Sequence, residues 1–133
     1  RILSSAASDV YKRQSLSTRN KNIKHRRIMK GVSSFYAEDF HGKLTANGEV
    51  YDMYGLTAAH KTLPLNTIIR VTNLLNDKSL ILRVNDRGPY VKGRILDCSY
   101  GAAKKLDFVN DGTVEVKIEV IEWGDNKYMK HRK

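Results

Sequence analysis

One cysteine, Cys98, stands among 133 residues, so the chain has no internal disulfide framework. No apolar run reaches about eighteen residues, which excludes a transmembrane helix in this sequence. The four histidines, His25, His41, His60 and His131, show no metal-ligand spacing, and neither a metal nor a cofactor is expected. What remains is a chain with 41% hydrophobic residues, the right size for one domain around one core. A chain of this length buries about two thirds of its unfolded surface and needs no covalent staple.

The formal net charge of +10 raises nucleic acid or an anionic surface as a partner, so the position of the charge matters. Residues 1–29 carry eight Lys/Arg against one Asp, and residues 124–133 carry four against one. Residues 30–123 carry twelve of each sign. A nucleic-acid fold bears its basic stripe on the docking face; here the expected folded part is neutral, and no nucleic-acid partner is expected.

Three segments follow from this. Residues 1–29 read as a mobile basic leader without an initiating Met or the apolar stretch of a signal peptide. Within it, Ser4 to Gln14 resembles translated sequencing-adapter sequence and is expected to carry no function. Residues 30–123 form the domain, and residues 124–133 a basic C-terminal tail.

Inside the domain, Val32 to Tyr36 is β-rich and weakly alternating, a first strand. Thr67 to Leu74 and Ser79 to Val84 flank the turn-forming Asn76-Asp77 and predict a hairpin. From Thr113 to Trp123, Val114, Val116, Ile118 and Val120 alternate with Glu115, Lys117 and Glu119, a strand with one wet face. Only Ser99 to Leu106 reads as helix, capped by Ser99 and about two turns long. Many short strands and one brief helix favour a small closed barrel over a doubly wound sheet. Trp123 is expected to pack in the core or at a barrel end. Cys98, with no activating partner in view, is expected to be a buried inert thiol.

Three polar stretches hold residues able to move a proton. Thr45-Ala46-Asn47-Gly48-Glu49 contains the strongest short hairpin signal, with Glu49 as a solvated strand residue or a working carboxylate. His60 lies between small residues and Leu63-Pro64; a lone His is more often structural, yet its ordinary pKa suits proton exchange near neutral pH. Asp86 follows an apolar strand and shares parity with Leu82 and Val84, so it is expected to point inward, where a carboxyl is hard to ionise. Such an acid suits protonation of a glycosidic oxygen, helped by a second carboxylate such as Asp97 or Glu49. The competing reading pairs Asp86 with Arg87 as structural turn residues ahead of Gly88-Pro89. Phe35, Tyr36, Phe40 and Tyr90 beside these stretches offer faces on which sugar rings pack.

Taken in order, Ser34-Phe35-Tyr36, Phe40-His41-Gly42, Thr45 to Glu49, Thr57-Ala58-Ala59-His60, Leu63-Pro64, Val71-Thr72-Asn73-Leu74, Asn85-Asp86-Arg87-Gly88-Pro89 and Gly93-Arg94-Ile95-Leu96-Asp97 resemble the rare lipoprotein A (RlpA) family from Lys30 to about Trp123. The resemblance implies a mainly β fold, a six-stranded double-psi β-barrel with one short helix, related to expansins and some endoglucanases. It also implies an endolytic lytic transglycosylase of peptidoglycan, outside the cytoplasm in the bacterial envelope, with glycan strands as partner and a monomer as the expected state. By motif, Glu49, His60 and Asp86 correspond to the residues associated with activity. Asp86 would act as acid and then base while His60 and Glu49 tune it and orient the substrate. Tyr36, Thr45, Asn47, Arg87, Tyr90, Arg94 and Asp97 are the expected groove residues. A non-catalytic glycan-binding or expansin-like wall-loosening module is the alternative, and a hydrolase with two carboxylates the third reading.

Overall fold

The alternating run near the C-terminus forms a strand whose Val114, Val116, Ile118 and Val120 are all buried, in a computed structural model that describes residues 27–129. The expected leader up to residue 26, including the adapter-like string, and residues 130–133 of the tail lie outside the described residues. Six strands close into one barrel: β1 (Ile28–Phe35), β2 (Thr57–Ala59), β3 (Ile68–Asn73), β4 (Ser79–Asp86), β5 (Arg94–Cys98) and β6 (Val114–Glu122). Around the barrel the order is β1-β5-β2-β4-β3-β6. Two neighbouring pairs, β1 with β5 and β2 with β4, run parallel; the other four run antiparallel. Closure leaves no free sheet edge to be shielded. This is the mainly β, double-psi barrel that the resemblance implies.

The expected hairpin is β3 and β4, in register from Ile68 with Arg83 to Thr72 with Ser79. Between them Asp77 takes a left-handed backbone (φ 63°), and Asn73 clamps the turn by donating from its side chain to Leu106 O and accepting from Leu75 N. The helix α1 (Tyr100–Leu106) starts where Ser99 Oγ accepts from Ala102 N at 3.1 Å, satisfying one of the first-turn donors. It buries Ala102, Ala103 and Leu106 against the barrel. The core joins them to Leu63, Ile69, Val71, Leu82, Val84, Leu96, Phe108 and Ile118. Cys98 is fully buried, its thiol pushed up to about 12 by burial, and Sγ lies 3.4 Å from Ser33 Oγ. A thiol held protonated there is inert.

Two boundaries differ from expectation. β1 starts before Lys30, because Ile28 and Met29 pair with Glu119 and Ile118 along the far half of the nine-residue β6. Their basic surroundings hide a pairing decided by a partner strand some ninety positions on. Trp123, expected to be packed, is 50% exposed: β6 ends at Glu122 and its inward alternation lapses before the indole.

Shortening a side chain in the barrel core leaves a cavity that the closed sheet cannot collapse. Ile118→Ala is expected to lower unfolding free energy by about 2–5 kcal/mol, and the exposed Ile28→Ala to stay within about 0.5 kcal/mol of the parent. Urea unfolding followed by circular dichroism measures both.

Candidate active site

The site grows from one irregularity in the β2–β4 pairing. Ala58 pairs with Val84, but the next β2 residue, Ala59, pairs with Asp86, so two β4 residues oppose one on β2. Such a bulge re-aims the side chain that follows it. Asp86 was expected to point inward with Leu82 and Val84; the extra residue, Asn85, turns it onto the face of Ala59, away from the core. Ala59 also pairs with Asp97 on β5, and Asp97 with Ser34 on β1. Ser34, Asp97, Ala59 and Asp86 therefore form one row across four neighbouring strands. Two carboxylates flank a single methyl, their Cα atoms two strand spacings apart, about 9–10 Å.

Each carboxylate has its own anchors. Asp86 Oδ1 accepts from Ala46 N and Arg87 N, both at 2.8 Å, and Oδ2 accepts from the Tyr36 hydroxyl. Asp97 Oδ1 accepts from Ser34 Oγ. Tyr36 is driven well above the ordinary phenol range by burial first, then by its bond to Asp86 and the charges of Asp86 and Asp97. It stays a neutral donor, held in an aromatic cluster with Tyr51 at 4.7 Å and Phe40 at 5.7 Å between ring centroids.

The turn that supplies Ala46 N is built by residues expected to face substrate. Thr45 Oγ1 donates to Asn47 Oδ1 at 2.7 Å, and the same oxygen accepts from Glu49 N at 3.2 Å. Asn47 Nδ2 donates to Asn66 Oδ1, and Asn47 N donates to Asn85 O. Thr45 and Asn47 are buried; Thr45 Oγ1 and Asn47 Oδ1 bond within this turn, and Asn47 Nδ2 ties it to Asn66. Gly48 has φ 89°, and a Cβ there would come within 2.6 Å of Met129 O, so the position needs glycine on both counts.

Glu49 is held on the other side of that turn. Arg83 meets it in a two-pronged bond, Nη1 to Oε2 at 2.6 Å and Nη2 to Oε1 at 2.7 Å, and Asn85 Nδ2 donates to Oε1 at 2.9 Å. Burial pushes this carboxyl up, but the bonds from Arg83 and Asn85 and the guanidinium charge prevail and hold it below the usual range. Glu49 remains an ionised, mostly buried anion.

His60 is 5% exposed. Its Nδ1 accepts from Thr62 N and Leu63 N, both at 3.1 Å, which leaves the proton on Nε2. Burial first, then the charges of Arg27, Arg87 and Lys61, lower its pKa to about 4. Near neutral pH it is a fixed neutral ring whose backbone N–H donates to Asp86 O at 3.2 Å. Arg87 does not pair its guanidinium with Asp86 as the turn reading expected. Its Nη1 donates to His60 O and Leu63 O and its Nη2 to Asn126 Oδ1, bracing the loop after β2.

Of the expected groove residues, Tyr36 and Asp97 meet at the row with Asp86. Tyr90 is 80% exposed on the loop after β4, available as a platform. Arg94 opens β5 opposite Val32. Sequence reasoning missed Arg83 and Asn85, although a lone Arg in the apolar run Leu80-Ile81-Leu82-Arg83-Val84 marks a side chain that must find an anion.

The class follows from these features: a double-psi barrel carrying a row across four strands with Asp86 and Asp97 in it. The family model described as lytic transglycolase matches residues 28–118, and the chain belongs to that family. Over 94 residues it is 58% identical to the endolytic peptidoglycan transglycosylase RlpA of Pseudomonas aeruginosa (strain UCBPP-PA14), covering 71% of this chain and 28% of that protein. It is 58% identical over 91 residues to the protein of the same name from Vibrio cholerae serotype O1 (strain ATCC 39315 / El Tor Inaba N16961), covering 68% and 35% respectively. The chain thus spans about a third of the length of these relatives. Among solved structures, a variant of the Clavibacter michiganensis expansin in complex with cellohexaose shares the fold with a TM-score of 0.58 at 14% identity, over 72% of this chain and 51% of that one.

The lowered His60 pKa sets a pH dependence of stability. Between pH 6.5 and about 4 the unfolded chain binds a proton at this ring that the folded chain refuses, so stability falls as pH drops through that window. The loss attributable to His60 is about 3 kcal/mol at its fullest. His60→Asn, which keeps an acceptor for Thr62 N and Leu63 N, is expected to show a correspondingly flatter dependence in urea melts from pH 7 to pH 4. Equal slopes in the two proteins would refute the neutral, buried ring.

Proposed function

We propose that this chain is the catalytic domain of an endolytic peptidoglycan lytic transglycosylase, working on peptide-free glycan strands in the cell envelope. The observation that carries the reading is the row in which Asp86 and Asp97 flank Ala59 with Tyr36 bonded to Asp86. Membership of the lytic transglycolase family and the names of the relatives support it.

The two oxygens of Asp86 are unequal. Oδ1 already accepts two backbone N–H groups, so Oδ2, facing the Tyr36 hydroxyl, is the oxygen that carries the proton. From Oδ2 the proton passes to the glycosidic oxygen between N-acetylmuramic acid and N-acetylglucosamine as the bond from that oxygen to the muramyl C1 breaks. The C6 hydroxyl of the same muramyl ring then bonds to C1, and its proton returns to Oδ2. The products are a 1,6-anhydro-muramyl end and a free N-acetylglucosamine hydroxyl, and one residue serves as acid and then base. Asp97, held by Ser34, is the second carboxyl group, placed across Ala59 to offset the cationic character that builds at C1. Tyr36 orients Oδ2. Glu49 and His60 act as positioning residues, the first through the turn that presents Ala46 N, the second through the backbone of the loop it braces. Tyr90 offers a stacking face beside the row.

One observation also favours a hydrolase: two carboxyl groups, Asp86 and Asp97, stand on either side of β2, and inversion requires such a pair with a water between them. The product separates the readings, since hydrolysis leaves a reducing end and the transglycosylase an anhydro end.

Asp86→Asn is expected to reduce cleavage of peptide-free strands by about 10²-fold or more, with an unchanged circular dichroism spectrum and retained strand binding. Mass analysis of the products reads the outcome, and turnover near the parent rate in the variant would remove Asp86 from its role.

A further inference from the structure

The β1–β5 pairing carries a second irregularity. Val32 pairs with Arg94 and Ser33 with Leu96, so Ile95 is an extra residue on β5. Leu96 is fully buried in the core, and Ile95 packs against the same core. A Cβ on Gly31, which pairs with the buried Val116, would come within 2.8 Å of Ile95 Cγ2, so Ile95 lies on the inner side of β1. Consecutive strand residues take opposite faces unless a bulge intervenes. With Ile95 and Leu96 both turned inward, Arg94 takes the outer face opposite Val32. Val32 shares that face with Ser34, whose partner is Asp97. Arg94 therefore stands beside the row that holds the two acids, two places back along β1 from Ser34, about 7 Å.

The fold leaves its guanidinium unspent. Arg94 is partly buried, yet among the described residues its side chain makes no ion pair and no hydrogen bond. Asp86 accepts from Ala46 N, Arg87 N and the Tyr36 hydroxyl, and Asp97 from Ser34, so each acid has other donors. Arg83 is committed to Glu49, and Arg87 to the carbonyls of His60 and Leu63. A guanidinium presents a flat fork of donors that fits a carboxylate with two parallel bonds; an amide offers it one acceptor and no charge.

A muramyl ring carries a lactyl ether on C3. Where the peptide stem is gone that ether ends in a carboxylate, and where the stem remains the same carbon is a neutral amide. C3 is two ring bonds from C1, and the carboxyl carbon is three bonds farther. A ring held with C1 over the row of Asp86 and Asp97 thus extends its anion a few ångströms past that row, within reach of an arginine one row along.

We infer that Arg94 binds the free lactyl carboxylate of the muramyl unit at the scissile bond and so makes the site select peptide-free strands. The inference rests on the glycan reading above and adds to it the group that decides which strands are taken.

The test uses a muramyl tetrasaccharide with free lactyl carboxylates and the same tetrasaccharide with those groups converted to methylamides. The full chain is expected to favour the acid over the amide in kcat/KM by about tenfold or more. Arg94→Gln is expected to lose that factor on the acid and almost nothing on the amide, bringing the two to parity, and Arg94→Lys to recover part of the preference. Lys92→Gln, an exposed cation two residues earlier, is expected to keep the parent's preference. An arginine with a merely structural role would lower both substrates alike and leave the preference in place, which overturns the assignment. Equal cleavage of acid and amide by the parent overturns it too, and that measurement needs no variant to fold. Calorimetric binding of both tetrasaccharides runs beside the kinetics. Acid-selective binding that Arg94→Gln abolishes, with cleavage of neither compound, upholds Arg94 and sinks the lytic reading; cleavage without acid preference sinks Arg94 alone.

Discussion

The extra residue in β4 where it meets β2 is the constraint on which the rest of the site depends. With regular pairing beyond Ala58 and Val84, Asn85 would stand opposite Ala59 and Asp86 opposite His60, leaving the aspartate on the core side of the sheet. The bulge moves Asp86 one place along, opposite Ala59 and in line with Asp97. The identity of the residue between them matters as much as the register. Ala59 is the smallest side chain that keeps strand geometry, so the two acids stand on either side of a single methyl. Asn85, two residues beyond Arg83, stays on the side of Arg83 and buries its amide against the same Glu49.

Around that register the polar groups form a relay of positions. Arg83 fixes Glu49 from both terminal nitrogens; Glu49 lies at the end of the turn that starts at Thr45; Asn47 closes that turn internally; and the turn presents Ala46 N to Asp86 Oδ1. A largely buried ion pair is a poor source of net stability, since desolvation offsets most of the attraction. Here its consequence is geometric: the braced turn keeps Ala46 N on Oδ1 of Asp86, while Oδ2 faces the Tyr36 hydroxyl. Preorganised donors of this kind need no rearrangement as charge develops.

Much of the fold was legible where pattern is local. The alternation of β6, the hairpin around Asn76-Asp77 and the Ser99 cap each announce themselves within ten residues, and the structure has all three. β2 was not legible as a strand, because Thr57-Ala58-Ala59 has neither the length nor the bulk of one; it is a strand only because β4 and β5 run on either side of it. Counting parity from Leu82 through Asp86 placed the aspartate on the wrong face, since a one-residue bulge leaves no mark in composition. Thr45 and Asn47 look like groove residues in a list of polar groups, and become turn scaffolding once their partners are known. The resemblance supplied the barrel as a whole; it did not show that Asp86 and Asp97 share a row or that Glu49 is held by Arg83.

The segment after Trp123 ties the loops around the site to one another. By charge, Gly124 to Met129 belongs to a basic tail, yet its contacts are with the loops around Asn47, Leu65 and Arg87. Asn126 Oδ1 accepts from Leu65 N and from Arg87, the residue that holds the His60 loop, while Asp125 Oδ1 accepts from Asn66 and Met129 N donates to Asn47 O. Gly124 fits because it has no Cβ, which would meet Leu65 O at 2.2 Å. Three loops far apart in sequence, near residues 47, 65 and 87, are thus tied by one strap that itself contributes no reacting group. Loops cost entropy to order, and a single segment that bonds to all three orders them together beside Asp86 and its hydrogen-bond donors.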